Sequence, residues 1–398
     1  MAHEYLILGG FGHQCWTSPG RPDIYGNCDG LTVCRFDRES ETVQIVAQSH
    51  GTESPSTLAV APNQRFIYAA NESHDFKGIG FGGGVTAFSF DLASGAVEKI
   101  NDSYSYGSSA CYVTIDKTGR YLLVANHGSR FYITRFKEVG GELVPDVQRD
   151  EGCVSLFSTR PDGGVGKLLD RLILEGTGGD PIVHGSAHPH SVQIDEADFV
   201  VIPNKGGDNI YVAKLNRETE RFETLCVTPT GHGSSPRHVY FVSGTPWVLI
   251  QNENDGHLCN YHLNRKTGEL TLISKVDTID RAAPCSVRSI GSSIQLWGLD
   301  VQMHPNKRFV YTDNTAGTVC LSYLDPETGK LTVAGHYKLD VASMPRGIQV
   351  SGDGSCLAVT GVQNEKVILL KIDPQTGRLS PLADVPAPTP TAACFISV

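Results

Sequence analysis

Six stretches of the chain repeat one pattern of apolar and polar positions: 55–73 (PSTLAVAPNQRFIYAANES), 109–128 (SACYVTIDKTGRYLLVANHG), 188–206 (HPHSVQIDEADFVVIPNKG), 235–254 (SPRHVYFVSGTPWVLIQNEN), 298–316 (GLDVQMHPNKRFVYTDNTA) and 344–363 (MPRGIQVSGDGSCLAVTGVQ). Each opens with an alternating run, the signature of a strand. A turn such as APNQ, DKTG, HPNK or SGDG follows, then a second, apolar strand that usually ends near an Asn. A third strand comes next in most units (GVTAFSF, NIYVAKL, HLCNYHL, TVCLSYL, KVILLKI). Turns of the type DPETGKL, NRKTGEL and DPQTGRL then lead into a short fourth strand.

Four short antiparallel strands per unit, recurring at roughly 40–50 residues, describe the blade of a β-propeller. The stretch YLILGG…GLTVCRFDRESETVQIV supplies most of a seventh unit. The C-terminal TAACFISV is then an orphan strand, and pairing it with the N-terminal blade closes the ring without an open sheet edge. The expectation is an all-β, seven-bladed β-propeller over residues 1–398 as a single domain. Two all-β domains would need a linker, and no Pro/Ser-rich or highly charged stretch supplies one. Blades 2, 3 and 5 carry long insertions: SHDFKGIGFGGG, the region from about 137 to 187, and DTIDRAAPCSVRSIGSSIQL. Such loops in a compact fold are often lids or interfaces.

Composition narrows the partners. A net charge of -10 argues against a nucleic-acid surface, which carries a basic stripe. A local arginine cluster can still oppose that global sign. No run approaches the roughly 18 apolar residues of a membrane span, and MAHEYLILGGFG reads as a strand, not a signal peptide. The 11 cysteines form no CxxC pair, and Cys111, Cys259, Cys320 and Cys356 sit inside strands. Reduced thiols in a cytoplasmic protein are expected. The partner expected is a small molecule, with no nucleic acid and no membrane, bound by a monomer or dimer.

Candidate chemistry gathers at one position of the repeat. In a blade the first strand lies nearest the axis and the second is antiparallel to it. The start of strand one and the end of strand two therefore share a face of the disc. Arg237, Arg346 and His190 begin innermost strands. Glu72, His127, Lys205 and Glu253 follow the ends of second strands. Arginines, histidines and carboxylates around one funnel can bind an anion and move a proton. His188 and Asn252 join the candidate substrate contacts with Arg346, Glu72 and His127. Blander readings apply elsewhere: strand-end Asn as turn residues, His238 and His304 as packing or turn residues, and GIGFGGG (78–84) as a hairpin loop lacking the helix a phosphate cradle needs. His13, Cys15, His74 and His127 match no metal-ligand spacing.

GSAHPHSVQI, SPRHVYF, IQNEN, GLDVQMHPNKRFVYTDN and MPRGIQVSGDG, in this order, resemble the seven-bladed lactonase family of bacterial 6-phosphogluconolactonases and fungal 3-carboxy-cis,cis-muconate lactonizing enzymes. The resemblance covers nearly the whole chain. It implies no metal and no organic cofactor, and a channel site whose roles fall on His190, Arg237, Glu253 and Arg346. In hydrolysis, Glu253 or neutral His190 would activate water, Arg237 would stabilise the oxyanion, and Arg346 would hold a carboxylate or phosphate. Lactonizing cyclisation of an unsaturated acid needs the same groups. A sugar-acid isomerase or lyase and a non-enzymatic binding propeller are the other readings. One departure stands out. Many members carry an arginine after the Asn or Asp ending the second strand of blade six, where this chain has Thr315; Arg281 or Arg288 could replace it.

Overall fold

The computed structural model describes residues 3–12, 26–73, 75–78, 82–128, 132–179, 185–282, 296–339 and 344–397. His13, Cys15, His74, Arg288, residues 79–81 of the glycine-rich loop and most of the blade 5 insertion lie outside them. Seven four-stranded antiparallel sheets follow one another in the order the repeat predicts. Among the described residues, the only helical elements are two three-residue 3-10 turns. None of the described helices is long and apolar enough to cross a membrane.

Ring closure is visible in blade 1, where Pro390–Ser397 is the innermost strand beside His3–Gly10, Thr32–Asp37 and Thr42–Gln48. The pairing runs antiparallel from Glu4↔Ser397 to Gly10↔Pro390. Seven hydrophobic cores lie between neighbouring blades, one per junction. This explains why the second strands read as continuous apolar runs. In Tyr121–Asn126, Leu122 and Val124 pack toward blade 2, while Tyr121, Leu123 and Ala125 pack toward blade 4. Both faces of the strand are buried, so the period-two signal disappears. Fully burying such a side chain contributes about 1.5–3 kcal/mol.

The recurring turns have a local cause. In DPETGKL, Asp325 Oδ1 accepts the amides of Glu327 (2.9 Å) and Thr328 (3.1 Å), and Gly329 takes φ 72°. DPQTGRL repeats this with Asp373 and Gly377 (φ 71°). Aspartate caps its own backbone there, and glycine takes the left-handed conformation at little steric cost.

Two expectations need correction. Blade 3 does not lose its outer half to an insertion spanning 137–187. CVSLFST and VGKLLDRLI within that span form its third and fourth strands, Cys153–Thr159 and Val165–Ile173. The inserted piece is a separate two-stranded hairpin, Tyr132–Val139 with Glu142–Arg149. The strand-end asparagines are only partly turn residues: none has positive φ, and Asn314 does cap its own turn, its Oδ1 accepting the Ala316 amide (3.0 Å). Their side-chain amides donate to carbonyls of the segment entering the same blade: Asn71 to Glu53, Asn126 to Ser105, Asn204 to Glu175 and Asn314 to Thr278. Each buried amide thereby clamps the crossover above its blade, satisfying backbone acceptors that would otherwise go unpaired.

Candidate active site

The innermost strands do not enter the channel regularly. Register shifts fall between Pro55/Thr57, Ala110/Tyr112, Pro236/His238, Gly298/Val301 and Pro345/Ile348. In blade 4 the innermost strand shrinks to Gln193–Ile194, preceded by an isolated Pro189↔Asn204 bridge. A bulge re-aims side chains and breaks strict alternation. Consecutive residues can therefore point the same way, and Arg237 and His238 both line one cavity of about 70 Å³. All seven blades contribute to its wall, from Thr391–Cys394 in blade 1 to Arg346–Gln349 in blade 7. That volume holds a few water molecules.

Of the expected site residues, Glu72, His190, Arg237 and Arg346 line this cavity. Arg237 is 1% exposed. Its NH1 donates to the Leu299 carbonyl (2.8 Å) and contacts His238 Nε2 (3.1 Å). Burial, then the neighbouring Arg346 charge, pulls its pKa down, opposed by Glu253. Arg346 lies over the Phe11 ring (4.9 Å) and 3.8 Å from Glu72 Oε1, an ion pair too long for a hydrogen bond. Its guanidinium can thus reorient toward a ligand oxygen.

Glu253 sits behind Arg237, outside the cavity wall. Its Oε1 is 2.7 Å from Lys205 Nζ and its Oε2 is 3.0 Å from Arg237 Nε. The Arg237 N–H does not aim along that contact, so the pair is held by charge and not by an aligned hydrogen bond. All three side chains are buried.

Four imidazoles form a row. His127 stacks on His188 (4.6 Å between ring centroids) and meets His190 edge-on (5.4 Å); His190 lies 5.4 Å from His238. His188 ends the row, buried, its Nδ1 against the His127 carbonyl (2.7 Å) and its amide on Asn204 Oδ1. His190 is buried, and its Nδ1 has no hydrogen-bond partner. Burial, then the charges of Arg237 and Lys205, drive its pKa well below that of free histidine, so the ring is neutral at physiological pH. Asn252 stays out of the cavity wall, its amide on Asp255 Oδ2 (3.3 Å).

His238 is not the packing residue expected. It lines the cavity with its Nδ1 2.7 Å from Asp300 Oδ1. His304 does cap a turn, through the Asn306 amide and the Gly354 carbonyl. Sequence reasoning also passed over Asp300 and Asp313. Asp313 is fully buried; its Oδ1 accepts the Asp300 amide (2.7 Å), and its Oδ2 has no partner. Burial and then the Asp300 charge push its pKa up to about 7. The available signal was the carboxylate near the start of GLDVQM, one residue past the blade position that holds Arg237 and Arg346 elsewhere and level with His238.

At the departure from the arginine pattern, Thr315 is buried, its hydroxyl accepting the Trp297 amide (2.8 Å). Arg281 does not reach over to replace a cation there: it is an exposed side chain bonded to Asp277 Oδ2 (2.9 Å) and the Asp255 carbonyl. Among the described residues no group of three or more His, Cys, Asp or Glu is arranged to hold a metal ion.

Known proteins share this architecture. The chain is 23% identical over 366 residues to the 6-phosphogluconolactonase of Formosa agariphila, covering 89% of this chain and 91% of the relative. It is 27% identical over 330 residues to the 6-phosphogluconolactonase of Pectobacterium carotovorum, covering 82% and 83%. The periplasmic gluconolactonase PpgL of Pseudomonas aeruginosa superposes with a TM-score of 0.80 over 99% of both chains at 22% identity, a likeness of fold. A family model described as lactonase, 7-bladed beta-propeller, matches residues 17–395, and the chain belongs to that family.

Proposed function

We propose that this protein hydrolyses sugar-acid lactones in the channel cavity. The observation that carries the reading is a neutral histidine, His190, set without a partner on Nδ1 in a cavity wall that also presents two arginines. A neutral imidazole can take a proton from water, and the negative charge developing on the lactone beside Arg237 offsets the cations that otherwise disfavour the imidazolium. The hydroxide formed attacks the lactone carbonyl, and Arg237 stabilises the tetrahedral oxyanion. Collapse breaks the ring C–O bond, and the imidazolium returns its proton to the departing alkoxide. Lactone and water thus give the open hydroxy acid. A positioned base contributes about 10²–10⁴-fold and an oxyanion donor about 10²–10³-fold. Glu253, crowded by two cations behind Arg237, holds Arg237 in place in this scheme and does not itself meet water. Arg346 binds an anionic substituent, and Ser56, Thr57, Gln302 and Gln349 offer hydrogen bonds to sugar hydroxyls.

Acid release followed by pH-stat with 6-phosphogluconolactone and unphosphorylated aldonolactones tests the activity. Turnover lost in Arg237→Lys, which keeps charge but not the planar fork, supports the reading; unchanged kcat in that variant removes Arg237 from the chemistry. All described cysteines are free thiols, which supports a reducing, cytoplasmic location. Cell fractionation tests that placement.

A further inference from the structure

We propose that Asp300 and His238 are positioning residues for Arg237: Asp300 holds His238 as its Nδ1–H tautomer, and the Nε2 lone pair holds the guanidinium in register with the cavity. The inference rests on the reading that Arg237 stabilises the oxyanion.

The hydrogen-bond inventory leaves one arrangement. A guanidinium has only donors. His238 Nε2, 3.1 Å from Arg237 NH1, must therefore be the acceptor, so the ring proton resides on Nδ1. That N–H points at Asp300 Oδ1 at 2.7 Å, which must accept. The carboxylate is itself anchored from two blades. Its Oδ1 also accepts the Val301 amide (2.7 Å), and its Oδ2 accepts the Ile348 amide (3.2 Å). Asp313 fixes the Asp300 backbone through the amide bond already described. Burial and then the Arg237 charge lower the His238 pKa, in keeping with a neutral ring.

The chain accounts for features that simple packing leaves unexplained. The bulge between Pro236 and His238 brings two consecutive side chains to the cavity, where one holds the other. The same NH1 donates to the Leu299 carbonyl of blade 6 (2.8 Å). Arg237 begins in blade 5, yet blade 6 dictates its direction through Leu299, and through Asp300 by way of His238.

Asp300→Asn tests this directly. An amide in place of the carboxylate can donate to Nδ1, which selects the Nε2–H tautomer and turns an N–H toward the guanidinium. Two-bond ¹H–¹⁵N spectra of protein carrying ¹⁵N-labelled histidine read the tautomer without any substrate. The expected result is Nδ1–H for His238 in the parent and Nε2–H in Asp300→Asn. With a turned-over lactone, kcat falls about 10²-fold, the scale of a lost oxyanion donor, while KM moves less than about 3-fold. Combining Asp300→Asn with Arg237→Lys lowers kcat no further than the worse single change, because the residues act as one unit. If Asp300→Asn does not fold, His238→Gln and His238→Leu decide. The glutamine oxygen can still accept from Arg237 and retains at least about 10-fold more activity than leucine. An Nε2–H tautomer in the parent, multiplying losses in the double variant, or equal losses for Gln and Leu overturn the proposal. Absence of lactone turnover with the expected tautomers refutes the hydrolytic reading and leaves the positioning geometry standing.

Discussion

Replacing Glu253 by Gln changes one charge and almost no volume, yet it strikes the most densely charged buried spot described. Lys205, Arg237 and Glu253 are 3%, 1% and 6% exposed, and the carboxylate faces both cations at 2.7 and 3.0 Å. The substitution leaves two buried cations against a neutral amide. Breaking a buried pair by removing one partner costs about 3–5 kcal/mol. Unfolding entropy of roughly 2.1 cal/mol/K per residue over 398 residues makes this a fall in Tm of about 4–6 °C. Adding Lys205→Met removes one of the two cations, returns the cluster to its original net charge of +1 and recovers part of the loss, because one uncompensated buried cation costs less than two facing each other. Differential scanning fluorimetry on the four proteins of this cycle reads the coupling. If Glu253→Gln melts with the parent, or if Lys205→Met deepens the loss additively, the three side chains are not the coupled unit described. Activity separates the remaining question. A Glu253 acting as the base leaves kcat about 10²–10⁴-fold down and multiplies with the loss in Arg237→Lys, whereas a Glu253 that only holds Arg237 gives losses in Glu253→Gln and Arg237→Lys that do not multiply.

Asp313 predicts a pH dependence of stability. Its folded pKa, about 7, lies above the ordinary value of 3.8, so its stabilising contribution is full below about pH 4 and is lost as pH rises from there through about 7. Urea midpoints of the parent should fall between pH 4.5 and pH 7 relative to those of Asp313→Asn, which keeps an acceptor for the Asp300 amide; equal pH slopes contradict the assignment. Removing the chain from Pro390 onward takes away the innermost strand of blade 1 and the Thr391–Cys394 part of the cavity wall. Loss of a cooperative melt and of activity is expected, and a melting temperature within about 2 °C of the parent contradicts the closure described.

How much of this could be read beforehand follows from the physics of each element. Blade count and ring closure depend on patterns that are local and repeated, and an error in one unit is corrected by the other six. The shared face of Arg237, Arg346, His190 and Glu72 follows from strand direction alone. His238 escaped because strict alternation sends neighbours 237 and 238 to opposite sides, and the bulge that cancels this has no residue signature in PRHVYF. Glu253 was placed at the right mouth, but its distance from the cavity depends on two cations from other strands. Thr312–Asn314 reads as an ordinary strand end, and only the packed structure shows Asp313 Oδ1 on the Asp300 amide. Blade 3 was misread because its third strand follows an inserted hairpin, which hid the expected spacing.

The division of labour within each blade bears on how such a site can change through evolution. Most of the cavity wall comes from the first residues of innermost strands, each entering past its own bulge or break, while the inter-blade cores are built largely on the second and third strands. A substitution at one mouth position therefore alters one sector of the wall with little repacking of the layers that hold the ring together. New specificities can be assembled sector by sector, each step nearly neutral for folding. Blades 4 to 6 are the exception: Lys205 and Glu253 form one charged unit with Arg237, whose direction also depends on Leu299 and on Asp300 acting through His238, so those sectors must change together or not at all.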